Sequence, residues 1–161
     1  MICGRLLRMA HLRCAVRKVF FFILLAGIGL PYSHAAPAGN PALPIIRMNA
    51  GIHLIHAEVA DNDATRQRGL MFRQELAPNH GMLFVYSTPD TLCFWMRNTP
   101  LPLSIAFIRD DGTIANIADM APYTETPHCS AEPVRYALEM EQGWFAARHL
   151  SDNAQLNGLP R

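Results

Sequence analysis

Residues 103–120 restrict the fold most. Leu103–Ile108 is an apolar run of strand length, Asp110-Asp111-Gly112 supplies a tight turn, and residues 113–120 return as a second run, so this stretch reads as a β-hairpin. Runs of the same kind recur along the chain. Residues 45–48 and 52–59 flank Asn49-Ala50-Gly51 as another hairpin, residues 82–86 and 92–98 are short strands, 134–140 is a return strand, and 154–156 offers a last one. Helical signals are few. Asn62 can cap a helix over 63–68 with Asp63 in its first turn and Gly69 at its end, and 143–149 reads as a second short helix. The expected architecture is a single compact α+β domain, a mostly antiparallel β-sheet curled into a barrel with two short helices.

The N-terminus reads differently. Arg5, Arg8, Arg13, Arg17 and Lys18 precede an unbroken apolar run over 19–30 and the small-residue stretch Ser33-His34-Ala35-Ala36, the three parts of a secretory signal peptide. The run is about twelve residues, short of the roughly twenty that span a bilayer, so cleavage after Ala35 is expected and the membrane is met only through the leader. Residues 1–35 are then the signal peptide, 36–44 a Pro-rich flexible linker and 45–161 the domain, in the periplasm or outside the cell.

Cleavage changes the electrostatics. The remaining 9 arginines face 13 acids, a net charge of −4, and the chain's one lysine is lost. An acidic domain with no basic run argues against nucleic acid or anionic lipid as partner, and Schiff-base chemistry is excluded for want of a lysine. Cys93 and Cys129 remain. They read either as a disulfide in an oxidising compartment or as small buried hydrophobes, Cys129 being in a loop over 121–133.

No phosphate loop, nucleophile elbow, Cys-x-x-Cys pair or His-Glu-x-x-His motif is present. His53 and His56 fall on opposite faces of a strand, and the methionines are scattered singly, so neither set reads as a metal site and no cofactor is expected. His128 beside Cys129 could suggest base and nucleophile, but neighbours on an extended loop usually point apart.

More informative are charges set among apolar residues: Arg68 and Arg73 around Gly69-Leu70-Met71-Phe72, Arg97 in Trp95-Met96-Arg97-Asn98-Thr99, and Glu139 in Ala137-Leu138-Glu139-Met140. A charge in a buried strand needs a partner, and an arginine fork opposite a carboxylate costs least. On one reading Glu139 satisfies an arginine and the pair fixes register. On another, Arg68, Arg73, Trp95, Arg97, Asn98, Thr99 and Glu139 line a groove for a small polar or anionic ligand or an envelope protein, with Trp95 as an apolar wall. A third makes the domain a hydrolase-like enzyme, with Glu139 or Asp119 as base and Arg73 or Arg97 stabilising charge. A purely structural envelope protein is the fourth.

Arg68-Gly69-Leu70-Met71-Phe72-Arg73, Gly81-Met82-Leu83-Phe84, Phe94-Trp95-Met96-Arg97-Asn98-Thr99 with Pro102-Leu103, and Ala137-Leu138-Glu139 closely resemble the domain of unknown function one-nine-two, a group of uncharacterised bacterial and archaeal proteins. The resemblance runs from about residue 52 to 156. It implies a compact, mainly β domain with short helices, and no activity, cofactor or partner. Two departures stand out. Ser104 occupies a position where the family usually has Asp, and Asn153-Ala154 replaces its Gly-Asp turn, so an acid-dependent chemistry resting on those two carboxylates is missing here.

Overall fold

The computed structural model describes residues 42–161, and the compact unit to which they belong is treated by itself. The expected signal peptide and most of the expected linker lie outside the described residues. Nine strands are assigned there: β1 (Ile45–Ala50), β2 (His53–Ala60), β3 (His80–Asp90), β4 (Cys93–Phe94), β5 (Leu103–Ile108), β6 (Ile114–Met120), β7 (His128–Cys129), β8 (Val134–Glu141) and β9 (Leu156–Asn157). Seven of them form one sheet in the order β6-β5-β8-β3-β2-β1-β9, and β4 pairs with β7 apart from it.

The sheet is antiparallel except at β2 and β3, which run parallel from His56 opposite His80 to Ala60 opposite Phe84. A parallel join needs a crossover, which the stretch carrying α1 (Asp63–Arg68) supplies. Asn62 caps this helix: its side chain accepts from the Thr65 N–H, and the Thr65 hydroxyl reaches back to the Asn62 backbone. The sheet curls into a half-barrel. At one end its edges meet, since Thr113 bridges Gln155 and the Ile114 N–H donates to the Ala154 carbonyl.

The strands alternate faithfully, and that alternation makes two cores. On β8, Tyr136, Leu138 and Met140 join Ile55, Leu83 and Phe145 on one face. Ala137 turns to the other, with Met82, Phe84, Ile105, Phe107 and Met96. β5 is buried throughout because both faces are covered. Between β3 and β8 the approach is so close at Gly81 that a Cβ there would overlap the Glu139 carbonyl and the Met140 sulfur. Gly81→Ala should therefore destabilise the domain by about 3 kcal/mol, read as a lowered denaturation midpoint; an unchanged midpoint would mean that the strands are less tightly joined.

Two expected elements shrink. The second helix is only a three-residue 3-10 turn, Ala146–Arg148, because Gly143 before it and His149 after it both take positive φ. With one six-residue α-helix besides, the domain is mostly strand rather than a balanced α+β fold. The expected strand over 92–98 is a strand only at Cys93–Phe94. Met96 and Thr99 close a turn, Asn98 is left-handed at φ 57°, and Pro100 and Pro102 withhold the donors a longer strand would need.

Candidate functional site

Glu139 sits near the end of β8, opposite Met82 of β3 and Ile105 of β5. Alternation turns it away from the half-barrel interior and toward Phe84, leaving it 4% exposed. The expected arginine partner is not there. Among the described residues no ion pair or hydrogen bond reaches its carboxyl, and burial pushes its pKa up from 4.5 to about 8.

The space before it is a cavity of about 320 Å³. Four further elements line it. α1 contributes Asp63, Arg66 and Arg68, the following turn contributes Gly69 to Met71, β3 gives Phe84 and Tyr86, and the 93–99 segment gives Cys93, Phe94, Trp95 and Thr99. Phe84 and Phe94 meet edge to face, their centroids 4.8 Å apart. Gly69 lies at φ 48°, and its missing Cβ leaves room for the Phe84 ring.

The charges within this wall are largely engaged. Arg66 donates to the carbonyls of Asp61 and Val85, pairs with Asp63, and lies 4.8 Å over the Tyr86 ring. Arg68 stands 5.6 Å over Phe72. The Tyr86 hydroxyl is held above its ordinary pKa, first by burial, while Arg66 opposes the shift and Glu139 and Asp63 add to it.

Of the seven residues singled out from sequence, Arg68, Trp95, Thr99 and Glu139 line this one cavity. Arg73, Arg97 and Asn98 do not. Arg73 pairs at 2.5 Å with Glu58 of β2 instead of Glu139. Arg97 is solvated, 3.9 Å from Glu125 and 5.7 Å over Trp95, so it is not a buried strand charge. Asn98 works through its backbone: its carbonyl accepts the Phe72 N–H at 2.8 Å.

The loops beyond the lining carry a feature that strand reading could not give. Phe72 and Tyr123 hold positive φ of 65° and 60°, conformations that bulky side chains rarely adopt, yet their rings are 52% and 66% exposed. Packing of the rings does not hold them there. The backbone does, through Phe72 N–H to the Asn98 carbonyl and Tyr123 N–H to the Thr99 carbonyl at 3.1 Å. Trp95 is likewise half-exposed, and backbone strain of this kind is characteristic of functional surfaces.

The alternative bases do not converge. Asp119 accepts from the Ser104 hydroxyl at 2.5 Å, and Ser104 in turn accepts from the Gly143 N–H. That cluster lines a separate cavity with Phe145 and Leu150, on the half-barrel side rather than beside Glu139. Cys129 is joined to Cys93 in a disulfide, which removes it as a nucleophile. Among the described residues no three His, Cys, Asp or Glu side chains are placed to hold a metal ion. His56 instead stacks on His80, and His53 meets Trp144 edge-on, on opposite faces of β2.

No curated protein matches the chain. Solved structures do, among them the following two. One is described as a "putative transcription regulator" from Sinorhizobium meliloti 1021, 36% identical with a TM-score of 0.70, covering 74% of this chain and 98% of the other. A protein of unknown function from Novosphingobium aromaticivorans DSM 12444 is 37% identical with a TM-score of 0.69, covering 77% and 94%. The family model of DUF192, described as uncharacterized ACR, matches residues 45–158. With its ordered motifs distributed over one half-barrel, the chain belongs to the DUF192 family.

Proposed function

We propose that this is an exported binding domain whose cavity takes a small organic ligand with an apolar body and a polar group directed at Glu139. One observation carries the reading: a buried carboxyl with no partner among the described residues faces a half-open cavity whose wall mixes aromatic and aliphatic side chains with polar ones. Burying such a group without a partner costs stability, so a ligand that supplies one gains affinity there. About 320 Å³ is room for a compact metabolite and not for a macromolecule. Export is supported by the leader pattern over 1–35 and by the Cys93 to Cys129 disulfide, which an oxidising compartment would preserve.

A second reading makes Glu139 a general acid or base. Its favour rests on a pKa near 8, which lets the group change protonation close to neutrality. Among the described residues of the lining, Cys93 is oxidised and the Thr99 hydroxyl donates to the Arg97 carbonyl, so on this reading a bound water would be the attacking group. The domain as a purely structural envelope component accounts for the fold motifs but leaves the buried Glu139 carboxyl without a role.

A thermal-shift screen of the full chain against neutral, cationic and anionic metabolites tests the binding reading. A ligand at about 100 times its dissociation constant adds roughly 2.7 kcal/mol to stability. We expect hits that are lost in Glu139→Gln and weakened in Trp95→Ala. Hits that stabilise all three proteins equally, or a broad screen with none, would remove the cavity as the site.

A further inference from the structure

We infer that the ligand carries an organic ammonium group, a compact primary amine whose head lies beside Glu139 while its body occupies the aromatic part of the cavity. This rests on the reading that the cavity is a binding site and adds the chemical class. One of the two most buried polar groups of the lining is an acid, and among the described residues no cation pairs with it, as acids in such surroundings normally require. Phe84, Tyr86, Phe94 and Trp95 line the same space, and aromatic rings favour a cation over an anion. The two lining arginines do not turn the site toward anions. Arg66 is neutralised by Asp63 and anchored to two carbonyls, and Arg68 stands over the Phe72 ring.

Binding would move a proton. Near neutral pH the Glu139 carboxyl is protonated in the free protein, and an ammonium beside it stabilises the carboxylate, so the acid releases its proton to solvent as the amine enters. The charged and titratable groups that share its surroundings are Asp63, Arg66 and Arg68 from α1 and Tyr86 from β3, with Glu141 further along its own strand and the Arg73 to Glu58 pair beyond Met82. The Asp63 and Arg66 charges offset one another, and Tyr86 titrates above this range.

The test is isothermal titration calorimetry on the full chain with three probes of one shape: benzylamine, benzyl alcohol and benzoate. Each is titrated near neutral pH in two buffers of different ionisation enthalpy. We expect benzylamine to bind at least tenfold more tightly than benzyl alcohol, benzoate not to bind, and close to one proton to leave per benzylamine. Its affinity should rise about tenfold per pH unit between about pH 6 and 7, and Glu139→Gln should show no benzylamine binding of that pH-dependent kind at any of these pH values. Equal or tighter binding of benzyl alcohol or benzoate, or benzylamine binding without proton release, would overturn the amine assignment while leaving the cavity a binding site. Failure of all three probes would overturn it too, and the broader screen then decides the cavity separately. Should Glu139→Gln not fold, the proton count on the unaltered protein still decides.

Discussion

Glu139→Gln should make the domain markedly more stable than the parent at pH 8 and nearly unchanged at pH 5. The sign follows from linkage. A carboxyl whose pKa is raised on folding, here from 4.5 to about 8, stabilises the fold while both states are protonated and loses that contribution as pH rises through the folded value. Between those limits the unfolded chain ionises and the folded one does not, so stability falls by about 1.4 kcal/mol per pH unit. The full swing is roughly 5 kcal/mol, a large share of an ordinary domain's stability. Glutamine keeps the shape and cannot ionise, so denaturant midpoints measured from pH 5 to 8 should stay flat in the variant where the parent's decline. Asp111 acts elsewhere: the Thr113 hydroxyl and N–H hold its pKa low, so its contribution is lost only as pH drops into the acid range. Parallel slopes for the two proteins would show that Glu139 is solvated or paired.

Reduction of the Cys93 to Cys129 disulfide should cost about 4 kcal/mol. Cross-linking residues 36 apart removes that much chain entropy from the unfolded state in the loop-closure treatment. The expected reading is a melting temperature lower by roughly 10 °C or more in reductant, reproduced by Cys93→Ser with Cys129→Ser. A second consequence is local. The bridge joins β4 to β7, and β4 carries Phe94 and leads into Trp95, two walls of the cavity. Phe94 is paired with His128 in the same two-residue ladder, and Leu92 exchanges hydrogen bonds with Ser130 beside it, so the bridge is the covalent tie among several that hold this segment to its partner. Ligands found in the screen should therefore bind more weakly to the reduced protein even at temperatures where it is fully folded. Unchanged melting and unchanged binding on complete reduction would mean that the two short strands hold themselves.

Some of this was written plainly in the chain. The hairpin of β5 and β6 has its apolar runs and its Asp-Gly turn in register, and local preference and tertiary pairing agree there. The Asn62 cap and the stop at Gly69 were legible for the same reason. Alternation failed where partners come from afar. β3 runs on through Ser87 to Asp90 despite their turn-like composition, because an irregularity after Val85 lets Asp90 find Val134. The parallel join of β2 to β3 has no local signature at all.

The site divides in the same way. Trp95, Thr99 and Glu139 could be picked out because polar or bulky residues interrupt apolar runs, but their neighbours across the cavity, Phe84 and Tyr86, look like plain strand residues in sequence. Which arginine would pair with which acid could not be read either. Arg73 reaches Glu58 from a loop whose path no period dictates, and that leaves Glu139 without a partner among the described residues. Phe72 and Tyr123 carry no signal of their left-handed backbone, since Gly or Asn would normally stand there.

Titration of the Glu139 carboxyl carbon by NMR, assigned through Glu139→Gln, tests the central claim most directly. A midpoint near 8 is the result expected of an acid buried without a partner. A midpoint close to 4.5, the ordinary glutamate value, would show that water or a cation already serves the group, and the site would have to be sought elsewhere.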